Sequence, residues 1–261
     1  MRQEIGTLLA AFAPQPEVTL LRVLAPGVAQ AARPGQYVMV RVASGWDPLP
    51  REALLLAGID SEAGAVMLWA PRGSPAREQL AALTTGASID LLGPLGRPLP
   101  RRAEARQVLL VAEGLALGPL LALAEAVLAG SGQAALLAVV PQRSAAYPAE
   151  ALPVALEYQR APRGSASDAA GELLRWADTV YGAGSQRFYH DLRDEIQRAR
   201  PGQRGGFAFG LLLEPFGWQP PAWGEARLAC AVAACRACLV ELRREKRLAC
   251  VQGPTFDLWA L

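Results

Sequence analysis

Apolar and polar positions change rhythm along this chain. Over residues 1–100 the apolar residues come in short runs. EVTLLRVLA (17–25), QYVMVRVA (36–43), ALLLAGID (53–60) and AVMLWAP (65–71) are rich in Val, Leu and Tyr and predict strands. RPGQ (33–36) is a turn signal, and SEAG forms a four-residue hairpin loop between the last two strands. REQLAALTTG (77–86) predicts a short helix ending on Gly86. SIDLLGPLGRPLP (88–100) predicts a last strand running into a Gly/Pro-rich loop. Short strands at this spacing predict a small β-barrel.

After RRAEAR (101–106) the apolar runs lengthen. QVLLVAE (107–113) reads as a buried strand, LGPLLALAEAVLAG (117–130) as a helix closed by Gly130, and AALLAVV (134–140) as the next strand. This is a βαβ unit, which predicts a parallel sheet with covering helices. AGELLRWA (170–177), DTVYGAG (178–184) and SQRFYHDLRDEIQRAR (185–200) repeat the theme as helix, strand and helix. PGQRGG (201–206) reads as a linker, and FAFGLLLEPFGW (207–218) as a strand and turn. Three domains are expected: a barrel over 1–100, an α/β domain over 101–205 and a small C-terminal domain over 206–261.

Composition narrows the function classes. Of 261 residues, 52% are hydrophobic and 19% charged, enough apolar mass for a sizeable core. The net charge of +2 is too small to argue for nucleic acid or an anionic membrane surface. Alanine is abundant and lysine very scarce, which reads as compositional bias. The apolar run Leu8–Ala13 is too short for a signal-peptide core and Glu4 sits just before it. The long apolar stretch 108–130 is broken by Glu113, Gly114, Gly118, Pro119 and Glu125. A cytoplasmic chain without a membrane span is expected.

All four cysteines fall between Cys230 and Cys250, spaced Cys-x4-Cys-x2-Cys and then a fourth after eleven residues. In a reducing compartment clustered thiols read as ligands rather than disulfides. The first three cysteines match the plant-type [2Fe–2S] spacing, whose fourth cysteine comes later in the chain. The residues between them, Ala231, Val232, Ala233, Ala234, Arg236 and Ala237, are mostly small, as a loop wrapped closely around a cluster needs. Structural zinc prefers paired CxxC knuckles or Cys/His mixtures, and only Cys235–Cys238 forms a knuckle here. Zinc, two disulfides and ordinary buried thiols remain the competing readings.

With the cysteines placed, the chain resembles the electron-transfer subunits of class B dihydroorotate dehydrogenase, within the ferredoxin–NADP reductase superfamily. The resemblance runs nearly the whole length through RPGQYVMVRV (33–42), WDPLPREALLLAGID (46–60), GASIDLLGPLGRPL (86–99), VLLVAEGLALGPLLALAEAV (108–127) and VYGAGS (180–185). It ends on the cysteine tail with Gly-Pro-x-Phe at 253–256. It implies a ferredoxin-reductase-like flavin barrel, a parallel-sheet nucleotide domain and a [2Fe–2S] domain. It further implies FAD contacts at Arg51, Gly73 and Ser74, an NAD(P)H phosphate contact at Gly114, and cluster ligation by Cys230, Cys235, Cys238 and Cys250. Such a subunit passes electrons from NAD(P)H through FAD and the cluster to an FMN-containing catalytic oxidoreductase subunit in a hetero-oligomer, in pyrimidine biosynthesis.

The sequence departs from the family at particular residues. The flavin motif is Arg-x-x-Ser; here Glu52 or Arg51 takes the Arg position and Leu55 or Leu54 the Ser position. The glycine-rich nucleotide loop is reduced to Ala112-Glu113-Gly114-Leu115-Ala116, and Ala183 and Ser185 replace the family's Cys and Pro. Ala231 and Ala233 stand where the family has Gly, which Ala tolerates at negative φ. These departures support a second reading, a non-catalytic relative that keeps the cluster as an electron relay, redox sensor or assembly partner. A zinc-stabilised binding module is a third. His190, the single histidine, reads as a surface or packing residue. RREKR (243–247) reads as a solvated hairpin tip or as an electrostatic dock for an acidic partner.

Overall fold

The computed structural model describes residues 1–41, 51–102, 104–140, 147–162, 168–213, 216 and 227–261. The chain forms two compact units. The first is Met1–Leu99 with Glu214–Val240 and Lys246–Pro254; the second is Pro100–Leu213 with Glu241–Glu245 and Thr255–Leu261.

The first unit is built on a closed barrel of six strands: β1 (Arg2–Gln15), β2 (Val18–Leu24), β3 (Tyr37–Arg41), β4 (Glu52–Asp60), β5 (Ala65–Pro71) and β6 (Ser88–Leu95). Their order around the barrel is β1-β2-β5-β4-β3-β6, every pair is antiparallel, and β6 returns to β1. Alternate residues point inward, so Leu21 and Val23, Val38 and Val40, Leu54 and Leu56, Val66 and Leu68, and Ile89 and Leu91 meet in one core. Helix α1 (Pro26–Ala31) adds Val28 and Ala29 to that core. Helix α2 (Pro75–Ala81) follows β5; the Ser74 hydroxyl caps it by accepting from Arg77 N. The predicted hairpin turns at Gly64, whose φ of +65° a residue with a side chain rarely adopts.

The second unit is an α/β sheet. Its strands are β7 (Gln107–Glu113), β8 (Gln133–Val140), β9 (Glu157–Pro162), β10 (Thr179–Gly184) and β11 (Ala208–Leu212), all parallel, with helices α3 (Gly118–Ala129), α4 (Asp168–Trp176) and α5 (Gln186–Ala199). The order β11-β10-β7-β8-β9 reverses direction between β10 and β7, the doubly wound arrangement. Every residue of β10 is buried, in keeping with a central parallel strand. Helix α5 is amphipathic and buries Phe188, Tyr189, Leu192 and Ile196. It packs close because Gly182 has no Cβ: an added one would sit 2.8 Å from Leu192 Cδ2.

Strands β12 (Leu239–Glu241) and β13 (Lys246–Leu248) form a two-stranded hairpin, and helix α6 (Ala249–Gln252) follows. Strand β14 (Thr255–Asp257) then adds antiparallel to β11. Among the described residues no helix is long and apolar enough to cross a membrane.

Candidate metal centre

The four thiols lie in the first unit on two kinds of support. Cys230 and Cys235 sit on an irregular loop; Cys238 ends that loop and Cys250 lies on α6. Cys238 and Cys250 are buried, Cys230 is half-buried and Cys235 is exposed. Three residues of the loop, Ala231, Ala233 and Arg236, have φ of +59°, +64° and +56°. The expected negative φ at Ala231 and Ala233 is therefore corrected: both are left-handed, which costs an L-residue about 1–2 kcal/mol each. This conformation turns successive amides toward sulfur. Cys235 N–H donates to Cys230 Sγ at 3.4 Å, and Ala237 N–H to Cys235 Sγ at 3.5 Å. Val232 and Ala234 amides also reach Cys230, and the Ala233 amide reaches Cys250.

The thiols divide into pairs. Cys230 shares a hydrogen bond with Cys235, and Cys250 with Cys238. Donated amide hydrogen bonds, Cys235's first among them, lower the Cys230 thiol to about 7, whereas burial raises Cys250 to about 11. Two pairs of thiols under a canopy of amides suit a binuclear cluster, with two sulfur ligands for each iron, better than one zinc. The donor set and the loop fit a [2Fe–2S] cluster.

Barrel residues hold this segment in place. Tyr37 Oη donates to the Cys250 carbonyl at 3.2 Å, and its ring meets Phe216 edge-on at 5.3 Å. Arg97 N donates to the Gly253 carbonyl at 2.7 Å, and Ala249 N to the Cys238 carbonyl at 2.9 Å. An added Cβ on Gly96 would come within 3.1 Å of the Gly253 carbonyl, so the LLGPLG loop (91–96) is matched to the cysteine tail. Tyr37 is the anchor that sequence reading missed. Its place at the start of a strand gave no hint of a partner more than two hundred residues away.

The implied flavin contacts have other partners. Arg51 pairs with Asp90 Oδ2 at 2.6 Å and donates to the Asp90 carbonyl at 3.1 Å. Leu54 and Leu55, in the place of the ring-binding hydroxyl, are in the apolar core. Glu52 projects to α2, where its carboxylate accepts from Ser74 Oγ at 3.2 Å and Arg77 Nε at 3.0 Å. Arg77 is buried and also donates to the carbonyls of Pro71 and Phe216. Gly73 adopts φ +117° in open space. Residues 46–50 of the motif stretch lie outside the described residues.

In the second unit, β7 ends on Glu113, and Gly114, at φ +57°, opens a 3-10 turn over Gly114–Leu117. The first turn of α3 is buried and contains Pro119, which has no N–H to offer. Glu113 Oε2 accepts from Ser185 N at 2.7 Å, bridging the ends of β7 and β10. Arg51, Ser74 and Ser185 thus already have acidic partners, and a dinucleotide diphosphate does not fit this set of donors. His190 is exposed and lies 2.9 Å from Arg193, on the surface as expected. Arg243 and Arg244 are exposed at the β12–β13 turn.

Comparison with known proteins fits the cysteine geometry. Residues 225–261 match the family model of the iron–sulfur cluster binding domain of dihydroorotate dehydrogenase B. The dihydroorotate dehydrogenase B (NAD(+)) electron transfer subunit of Shouchella clausii (strain KSM-K16) is 27% identical over 88% of this chain and 87% of its own length. The chain is similar to such electron transfer subunits over most of its length. The subunit of the same name from Bacillus cereus (strain Q1) is 37% identical over 39% of this chain and 40% of its own. A solved NADH-dependent reduced ferredoxin-NADP oxidoreductase covers 98% of this chain and 89% of its own, with a TM-score of 0.75 and 22% identity. The barrel, parallel sheet and cysteine tail therefore form the ferredoxin-reductase-like fold expected from sequence.

Proposed function

We propose that this chain is an electron-transfer subunit that holds a [2Fe–2S] cluster on Cys230, Cys235, Cys238 and Cys250. It passes electrons to or from a catalytic oxidoreductase subunit, of which the FMN-containing dihydroorotate dehydrogenase subunit is the first candidate. The observation that carries this reading is the two hydrogen-bonded thiol pairs, with amide donors from a loop whose backbone is strained. A bound [2Fe–2S] cluster supplies one-electron chemistry. The protein's part is positioning. The amides offset sulfur charge, Tyr37 fixes Cys250 through its carbonyl, and burial of Cys238 and Cys250 keeps one side dry. Exposed Cys235 leaves the other side open to a partner. Val232, Leu239 and Val251, each within two residues of a cysteine, are 50%, 39% and 40% exposed.

The test is anaerobic purification with metal analysis and co-expression with the catalytic subunit. About two irons per chain are expected. Dithionite should bleach the visible absorption, and a stable complex should form. A colourless chain holding stoichiometric zinc would refute the proposal. The second reading, a relay without its own nucleotide chemistry, is favoured by the ion pair of Glu52 with Arg77 and the bond of Glu113 to Ser185.

A further inference from the structure

We infer that Glu52 and Glu113 are resident counter-anions that occupy, one in each unit, the donors a dinucleotide phosphate would need, so the native chain takes up no dinucleotide at either place. The two observations are independent. In the barrel unit, the described side chains able to meet an anion near β4 and α2 include Arg51, Arg72, Arg77 and the Ser74 hydroxyl. Asp90 takes the first at 2.6 Å, Glu78 the second, and the Glu52 carboxylate the last two at 3.0 and 3.2 Å. Arg77 is buried, so it requires a negative partner from some source, and the chain supplies one from its own β4. An arriving phosphate would have to displace a carboxylate that is covalently part of the protein and is 23% exposed on its side chain.

In the α/β unit the place to look is the crevice at the carboxyl ends of the strands, where their order reverses between β7 and β10. Glu113 is the last residue of β7, and Ser185 directly follows β10. Their 2.7 Å hydrogen bond spans the crevice with a negative charge at its centre. The backbone is as close: a Cβ on Gly184 would come 2.8 Å from Glu113 Cβ. A diphosphate would meet repulsion there, and the first turn of α3 beyond it is buried and contains Pro119, which has no N–H. The same device thus appears twice, on unrelated segments of the chain.

The inference is independent of which partner receives the electrons, and its test is separable from the test of the cluster. Full-length protein is purified anaerobically, its iron is counted, and FAD and NAD(+) binding are measured by equilibrium dialysis and calorimetry. The native chain should retain no FAD and show no saturable binding of either dinucleotide while its iron content stays full. Glu52→Gln should raise FAD affinity, and Glu113→Gln NAD(+) affinity, each by about tenfold or more once the carboxylate charge is gone. Circular dichroism and iron content confirm that each variant is folded. One FAD retained per native chain, or saturable NAD(+) binding by it, overturns the inference at that site whatever the variants do. A folded Glu52→Gln or Glu113→Gln protein with no gain overturns it equally.

Discussion

Replacing Ala233 with Gly should tighten the hold of the cysteine loop, and the structure sets the size of the effect. At φ +64° an alanine carries about 1–2 kcal/mol of left-handed strain that glycine does not. Glycine returns roughly 0.5–1 kcal/mol of this through the greater freedom of its unfolded chain. Ala233 is only half-buried, so little packing is lost and the net gain is about 0.5–1 kcal/mol. Ala231 differs: its strain is similar at φ +59°, but its methyl is 3% exposed, and losing that burial costs about 0.8 kcal/mol. Ala231→Gly should be close to neutral. The assay is the rate of cluster loss to a chelator under anaerobic conditions, followed by visible absorption. If release requires the loop to open, Ala233→Gly slows it about two- to fivefold and Ala231→Gly leaves it nearly unchanged. Equal effects from the two substitutions, or faster release from Ala233→Gly, would refute the idea that the loop is held under strain to aim its amides at sulfur.

Three further outcomes follow from ionic groups away from the cysteines. Removing Arg77 with an Ala substitution takes the cationic partner from part-buried Glu52, which keeps the Ser74 hydroxyl, and should cost about 1.5–3 kcal/mol of stability, read as a lowered denaturation midpoint. Arg72→Ala, on the exposed pair with Glu78, should barely move that midpoint. Asp178 accepts backbone hydrogen bonds from Gln107 and Arg106, which hold its carboxyl below the ordinary range. Its stabilisation is therefore complete above the unfolded carboxylate pKa and disappears as pH falls through the lower folded value. Asp178→Asn should show a melting deficit at neutral pH that shrinks toward zero in acid; a deficit constant with pH would exclude this account.

Much of the scaffold is legible in the sequence because local pattern and tertiary placement agree there. The hairpin of β4 and β5 is two short apolar runs either side of a turn signal, and β7, α3 and β8 carry the apolar continuity of a buried βαβ unit. Strand β1 was hidden because Ile5, Leu9 and Phe12 are exposed, so apolar residues occupy outward as well as inward positions and the alternation is blurred. Strand β9 was hidden for the opposite reason: EYQRAP is mostly polar, as an edge strand can be. Strand β14 has three residues and pairs with β11 from across the cysteine tail, a long-range contact that leaves no local pattern. The cysteine spacing could be read directly because ligand geometry imposes it. The left-handed alanines could not, since nothing in the letters Ala-Val-Ala-Ala announces positive φ.

The carboxylates mark a different limit. In the sequence Glu52 reads as an unfavourable neighbour for a diphosphate, a judgement about repulsion alone. The structure adds the attractive half, because Arg77, twenty-five residues on, is buried beside it with two carbonyls as its other partners. A buried guanidinium is costly without a counter-charge, and one supplied by a bound ligand would make the fold depend on that ligand for stability. Placing a glutamate on β4 transfers the requirement to the chain itself. Tyr37 and Arg97 of the same barrel hold the cysteine tail through hydrogen bonds to Cys250 and Gly253. The cluster support and the nucleotide chemistry of this architecture are in that sense separable, and this sequence retains the residues of the first while filling the sites of the second.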